Sequence, residues 1–108
     1  MRGTLGRIRQ LVAIGRSRVS DHGFRELRED GIKLGKVLAG LADATVVEDY
    51  PDYHKGPSVL VRQFDGKDRP LHVLWGIAKI GEPVATLVTA YRPDPSVWSP
   101  DFLRRLPK

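Results

Sequence analysis

The sequence predicts an α+β domain, with two or three N-terminal helices packed on a four-stranded antiparallel sheet. Three observations predict it. Apolar residues recur at helical spacing through roughly the first forty positions. From Ala44 onward the period shortens to that of strands. Finally, clusters of Gly, Pro and Asp cut the second half into four strand-like runs, one directly after another. Strands joined by short connections pair antiparallel, and helices gathered ahead of such a sheet cover one of its faces.

The first helix is expected near Thr4–Gly15, with Leu5, Ile8 and Val12 on one face and arginines around it. Ser20 is placed as the N-cap of a second helix, Asp21–Asp30, with Val19 and Phe24 positioned as a hydrophobic staple. Gly31 stands where a left-handed C′ residue is wanted, and Ile32 can close back on Leu27 in a Schellman motif. Leu34, Val37, Leu38 and Leu41 give a third helix ending near Ala42-Asp43. The strands follow as Thr45–Tyr50, Ser58–Phe64, Pro70–Ile80 and Pro83–Arg92. A Pro/Gly-rich loop, Pro51–Pro57, separates the first two, and the Asp65-Gly66-Lys67-Asp68 turn separates the next two. Pro93–Pro100 is too rich in proline to continue a central strand, and Ser99-Pro100 can open a final helical turn through Leu106. Residues 1–18 thus read as an N-terminal helical extension and residues 19–108 as a single α+β domain.

Composition narrows the classes of function. The 108 residues suffice for one core, and 41% hydrophobic with 29% charged residues describes a folded rather than a disordered chain. Without cysteine there is no disulfide or thiolate metal site, and a reducing cytoplasm is the expected location. No apolar run approaches a membrane span. Net charge is +5, distributed unevenly: residues 1–36 carry nine basic and four acidic side chains, and residues 37–61 one and four. The first sixteen residues hold Arg2, Arg7, Arg9 and Arg16 and no acid, but Leu11–Ile14 is too short for a signal-peptide core. Such a distribution suits a phosphate backbone or an acidic protein partner.

The most informative chemistry lies in the last hairpin. Gly81-Glu82 suits a two-residue type II′ turn. If Ile80 pairs with Pro83, then His72 faces Tyr91 on one side of the sheet, with Cβ atoms about 5 Å apart. Arg62 is a nearby cation on the preceding strand. The Tyr53, His54 and Lys55 loop, with Tyr50 before it, can grip single-stranded RNA by stacking and charge. Each residue also has a structural reading: His72 as a half-buried histidine bonded to a carbonyl, Tyr91 as a sheet-edge aromatic, His22 as an exposed helix residue, and Trp75 and Trp98 as packing. The three histidines lack metal-ligand spacing, and no phosphate-binding glycine loop or Ser/His/Asp signature is present, so neither metal nor cofactor is expected.

Several stretches together resemble a known family: Val19–Phe24 (VSDHGF), Asp30-Gly31-Ile32, Val47–Asp52 (VEDYPD), Gly56–Val61 (GPSVLV), Pro70–Val73 (PLHV) and Val88–Pro95 (VTAYRPDP), with Trp98. They look like the bacterial domain of unknown function 4258 family, held to be a distant relative of the RelE-like toxin ribonucleases. The resemblance implies a RelE-like fold, metal-independent cleavage of mRNA in a toxin–antitoxin setting, and an antitoxin-like protein as partner. His22 matches the histidine opening the family's first core helix, His72 the one in the third strand, and Tyr91 the tyrosine ending the fourth. Where many members carry arginine, this chain has Glu26 and Asp30; Arg25 and Arg28 lie nearby on other faces of the helix.

Cleavage by 2′-hydroxyl attack needs a base, an acid and a cation facing the phosphorane. The candidate catalytic set is His22, His72, Tyr91 and Arg92, and the candidate RNA-binding set is Arg25, Arg28, Tyr53, His54, Lys55 and Arg62. Tyr91 and Arg92 are consecutive, so a regular strand points them to opposite faces. Two other readings remain open. One is a catalytically inactive RNA-binding descendant, and the other a protein-interaction module whose sheet edge is completed by a partner strand.

Overall fold

The cap signals at Ser20 and Gly31 form as expected, while Phe24, placed as half of a hydrophobic staple, is exposed. In the computed structural model, which describes residues 3–107, Ser20 Oγ accepts the Gly23 N–H at 3.0 Å and opens the helix Asp21–Glu29 (α2). At the other end Gly31 is left-handed, with φ +63°. Ile32 N–H donates to Leu27 at 2.8 Å and Gly31 N–H to Arg28 at 3.3 Å, which is the Schellman pair of bonds. A helix Thr4–Ala13 (α1) precedes α2, and Leu34–Gly40 (α3) follows it, tightening into a 3-10 turn at Leu41–Asp43. Arg2, counted in the basic N-terminal run, lies outside the described residues.

Helix α1 is tied to the rest by packing and by one side chain. Leu5 and Ile8 enter the same apolar core as Leu27, Val37 and Leu41. Arg9 donates to the carbonyls of Leu41, Ala42 and Ala44 at 3.0 to 3.1 Å, tying α1 to the 3-10 turn and to the residue just before the strand that follows it.

The sheet is five-stranded and mixed, which corrects the expectation of four antiparallel strands. Its strands are Ser17–Val19 (β1), Thr45–Tyr50 (β2), Ser58–Phe64 (β3), Pro70–Ile77 (β4) and Ala85–Tyr91 (β5), in the order β1-β5-β4-β3-β2. The last four make the expected antiparallel meander, while β1 pairs parallel to β5 at the edge. A three-residue strand has no room for a period, and its partner lies far along the chain. Nothing local announces β1.

The last hairpin differs near its tip. Strand β4 stops at Ile77 and β5 starts at Ala85, so the connection is longer than the two-residue turn expected. The inner rungs keep the expected register, with His72 opposite Tyr91 and Leu74 opposite Thr89. A bulge between Leu74 and Trp75 then shifts the outer rungs by one residue.

The C-terminal segment differs too. In place of a helical turn after Ser99-Pro100, Trp98 and Arg105 form an isolated antiparallel bridge around a tight reversal. Phe102 sits there in the left-handed region at φ +60°.

Alternation divides the sheet cleanly. Val59, Val61, Leu71, Val73, Trp75, Ile77, Leu87 and Ala90 face the helices and build the core. Among the described residues the other face carries no helix, and the candidate chemistry lies there.

Candidate functional site on the helix-free sheet face

One rung of the sheet brings four polar side chains into line. Thr45 on β2 pairs with Arg62 on β3, Arg62 with His72 on β4, and His72 with Tyr91 on β5. Residues paired across strands share a face, so all four project to the helix-free side. Arg62 Nη2 donates to Thr45 Oγ1 at 3.2 Å, and the Tyr91 hydroxyl stands 3.1 Å from His72 Nδ1.

The second ring nitrogen fixes the tautomer. His72 Nε2 lies 2.7 Å from the Phe102 carbonyl oxygen, which can only accept, so Nε2 carries the proton. Nδ1 is then the acceptor, and the Tyr91 hydroxyl donates to it. Burial, foremost, lowers the His72 pKa below the ordinary histidine value. The charges of Arg62 and Arg105 push the same way, while the Phe102 bond opposes them. Burial likewise raises the Tyr91 pKa, keeping the phenol protonated and able to donate.

The C-terminal segment lies across this rung. The Trp98 ring meets His72 edge to face, with centroids 4.4 Å apart, and Trp98 is itself buried. The Arg105 guanidinium covers Trp98 at 4.9 Å and pairs with Glu48 at 3.9 Å. Arg62 Nη1 donates to the Asp101 carbonyl at 2.9 Å. Under this cover His72 is 0% exposed.

Along the same face, past His72 on β4, a groove of about 630 Å³ opens. Its floor is Leu74, Gly76, Thr86 and Val88; Tyr50, Tyr53 and Lys55 wall one side, and Arg18 lines it from β1. Gly56, whose φ is +122°, lets the Tyr53–Lys55 loop press onto the end of β4; a Cβ there would overlap the Ile77 carbonyl. His54 packs on Tyr53 with ring centroids 4.5 Å apart. Arg18 is held in place by donating from Nε to Thr86 Oγ1 at 3.0 Å.

The expected site therefore divides. His72, Tyr91 and Arg62 come together, and Tyr53, His54 and Lys55 gather at the adjoining groove. Arg92 does not join them. As the alternation required, it turns to the other side, where Nη2 pairs with Asp65 at 3.1 Å. His22 is exposed on α2, its Nε2 3.5 Å from Glu26, and α2 packs on the helix-covered face. Arg25 and Arg28 are exposed on that same helix. His22, Arg25, Arg28 and Arg92 are thus separated from the His72 rung by the sheet itself.

Arg18, Thr45 and the Phe102 carbonyl were not singled out from sequence. Arg62 follows from strand register, since the Asp65–Arg69 connection sets Phe64 opposite Pro70 and hence Arg62 opposite His72. Thr45 does not, because a bulge between Val46 and Glu48 shifts it by one residue onto Arg62. Nothing in the local sequence marks Arg18, because its strand is not legible, or a backbone carbonyl thirty residues from its partner.

Among the described residues no helix is long and apolar enough to cross a membrane. No curated protein and no solved structure matches the chain. A family model does match, over residues 19–92, from the last residue of β1 to the residue after β5. The sealing segment, residues 93–107, falls beyond that match. By it, the chain belongs to the family described as Domain of unknown function (DUF4258).

Proposed function

We propose that the protein is a RelE-like, RNA-acting domain that holds single-stranded RNA along the helix-free face of its sheet. The Arg62–His72–Tyr91 rung is its metal-independent cleavage centre, kept latent by the chain's own C-terminal segment. One observation carries this reading: a base, a proton donor and a cation share a single rung beside a groove lined by two tyrosines and two cations. Tyrosine faces stack on bases without regard to sequence, and Arg18 and Lys55 supply charge for the backbone.

In the open state the Phe102 carbonyl leaves Nε2, and the tautomer with the proton on Nδ1 presents a free Nε2 lone pair. The neutral imidazole takes the RNA 2′-hydroxyl proton as O2′ bonds to phosphorus. The P–O5′ bond breaks, and the leaving oxygen takes the Tyr91 phenol proton. The products are a 2′,3′-cyclic phosphate and a 5′-hydroxyl. Arg62, with Nε unpartnered, faces the charge that builds on phosphorus. In a toxin–antitoxin setting an antitoxin-like protein would be the partner that controls this face.

The complete burial of His72, with both ring nitrogens engaged, favours a second reading: a domain that binds RNA by the groove and no longer cleaves it. Two assays separate the readings. Fluorescence anisotropy with a short single-stranded RNA should show salt-sensitive binding that Tyr53→Ala and Lys55→Ala each weaken several-fold. Expression in bacteria of Trp98→Ala, which loosens the cover, should arrest growth with loss of mRNA, and adding His72→Ala or Tyr91→Phe should abolish the arrest. RNA binding without arrest selects the binding-only reading, and no RNA binding at low salt removes both.

A further inference from the structure

A second cleft lies on the side of the sheet away from His72, between the start of α3 and the β3–β4 turn. It has a volume of about 320 Å³, and Lys33, Lys36, Lys67, Arg69 and Arg92 line it together with Asp65. Five cations against one carboxylate leave four positive charges uncompensated there. The arrangement is built rather than incidental. Asp65 Oδ1 accepts the backbone N–H groups of Lys67 at 2.7 Å and Arg69 at 3.0 Å, fixing the turn. Its Oδ2 takes Arg69 Nε at 2.9 Å and Arg92 Nη2 at 3.1 Å, so one oxygen draws two guanidinium groups together.

That carboxylate is spent on four donors, and its side chain is only 7% exposed. It cannot neutralise the rest of the cleft. Arg92 Nη1 is buried with no hydrogen-bond partner, an incomplete fork that ordinary packing would not leave. Lys36 lies over Gly66, with Nζ 3.0 Å from where a Cβ on that glycine would stand. The glycine thereby lets the lysine lean toward the turn.

Converging guanidinium and ammonium groups of this kind recognise phosphate oxygens, arginine by its planar fork and lysine as a point charge. A diphosphate carries roughly three negative charges at neutral pH, which the four uncompensated positive charges of the cleft can offset. The cleft also falls in the size range of small-molecule sites, roughly 300 to 1,000 Å³. We propose that this cleft is a binding site for a small diphosphate-bearing ligand, of the class of pyrophosphate or a nucleoside diphosphate. The site is independent of the RNA reading, since it shares no residue with the groove or with the His72 rung.

Isothermal titration of the full-length protein with pyrophosphate, at constant ionic strength, tests it. Saturable one-to-one binding is expected, weakened about tenfold or more in Lys33→Ala/Lys36→Ala, whose side chains are exposed and whose loss leaves the core intact. A nucleoside diphosphate arm assigns the source: tighter binding than pyrophosphate marks a nucleotide site, and equal binding a site for the diphosphate alone. Absence of saturable heat overturns the proposal. So does binding that sulfate matches at equal ionic strength, or that the lysine variants leave unchanged while thermal melting shows them folded.

Discussion

His72 is a histidine whose neutral form the fold requires. It is sealed beneath Trp98, donates from Nε2 to a carbonyl and accepts at Nδ1 from a phenol. Its pKa is depressed in the folded state, so between that value and the ordinary 6.5 the unfolded chain binds more protons than the folded one. Stability must therefore fall as pH drops through 6.5, and level off below the depressed value. Urea midpoints measured across this range should show the loss for the wild type, and the difference from His72→Gln should isolate it. Parallel curves for the two proteins would mean that the imidazole is not held neutral. Tyr91→Phe leaves Nδ1 buried without a donor and should cost about 1 to 3 kcal/mol. The expected facing of the two rings rests on a tight turn that does not form; it holds because the shifted register near the tip and the bulge beside Leu74 offset each other. The sequence could not reveal that a carbonyl thirty positions away closes over one of them.

At the scale of elements, legibility followed the range of the interaction that forms each piece. Helix α2 is defined by contacts within a few residues, and its Ser20 cap and Gly31 reversal were readable one by one. Ser20→Ala should cost about 1 kcal/mol, and Gly31→Ala a similar amount for forcing a Cβ into the left-handed region; chemical denaturation checks both. The β2–β5 meander was readable for the same reason, each strand meeting its neighbour across a short connection. Where partners are distant, local pattern was silent or misleading. Strand β1 exists because β5 offers it an edge, and residues 97–106 are bridged rather than helical because Trp98 has a sheet face to bury against. The hairpin tip misled in another way. Gly81, at φ +87°, does turn the chain, but the bulge beside Leu74 had already moved the outer register. Arg9 shows the same dependence on distance, since the carbonyls it bonds lie more than thirty residues along the chain, just past α3. Arg9→Ala should lower stability by about 1 to 3 kcal/mol, the range for bonds from a charged donor.

For the molecule as a whole, the question is whether the cover over His72 opens while the sheet stays intact. The two are built differently. Strands β3, β4 and β5 are locked on both sides by ladders and face a continuous core. The cover rests on one buried ring, a single bridge, the exposed Arg105–Glu48 pair and bonds from Arg62 and His72 to two carbonyls, and it holds Phe102 in a conformation that costs about 1 to 3 kcal/mol. A segment with so little apolar burial and stored strain should open at lower free energy than the domain unfolds. Native-state hydrogen exchange should find the amides of Trp98, Ser99, Arg104 and Leu106 exchanging well before those of Val73 and Trp75 in β4. Trp98→Ala removes the one large anchor and should accelerate exchange in the cover while the β4 amides stay protected. If the cover and β4 instead exchange together through global unfolding, the cover is part of the core, and a latent centre beneath it has no way to be reached. Independent opening would give the chain a closed and an open form differing in whether His72 Nε2 is free, the condition that cleavage at this rung requires.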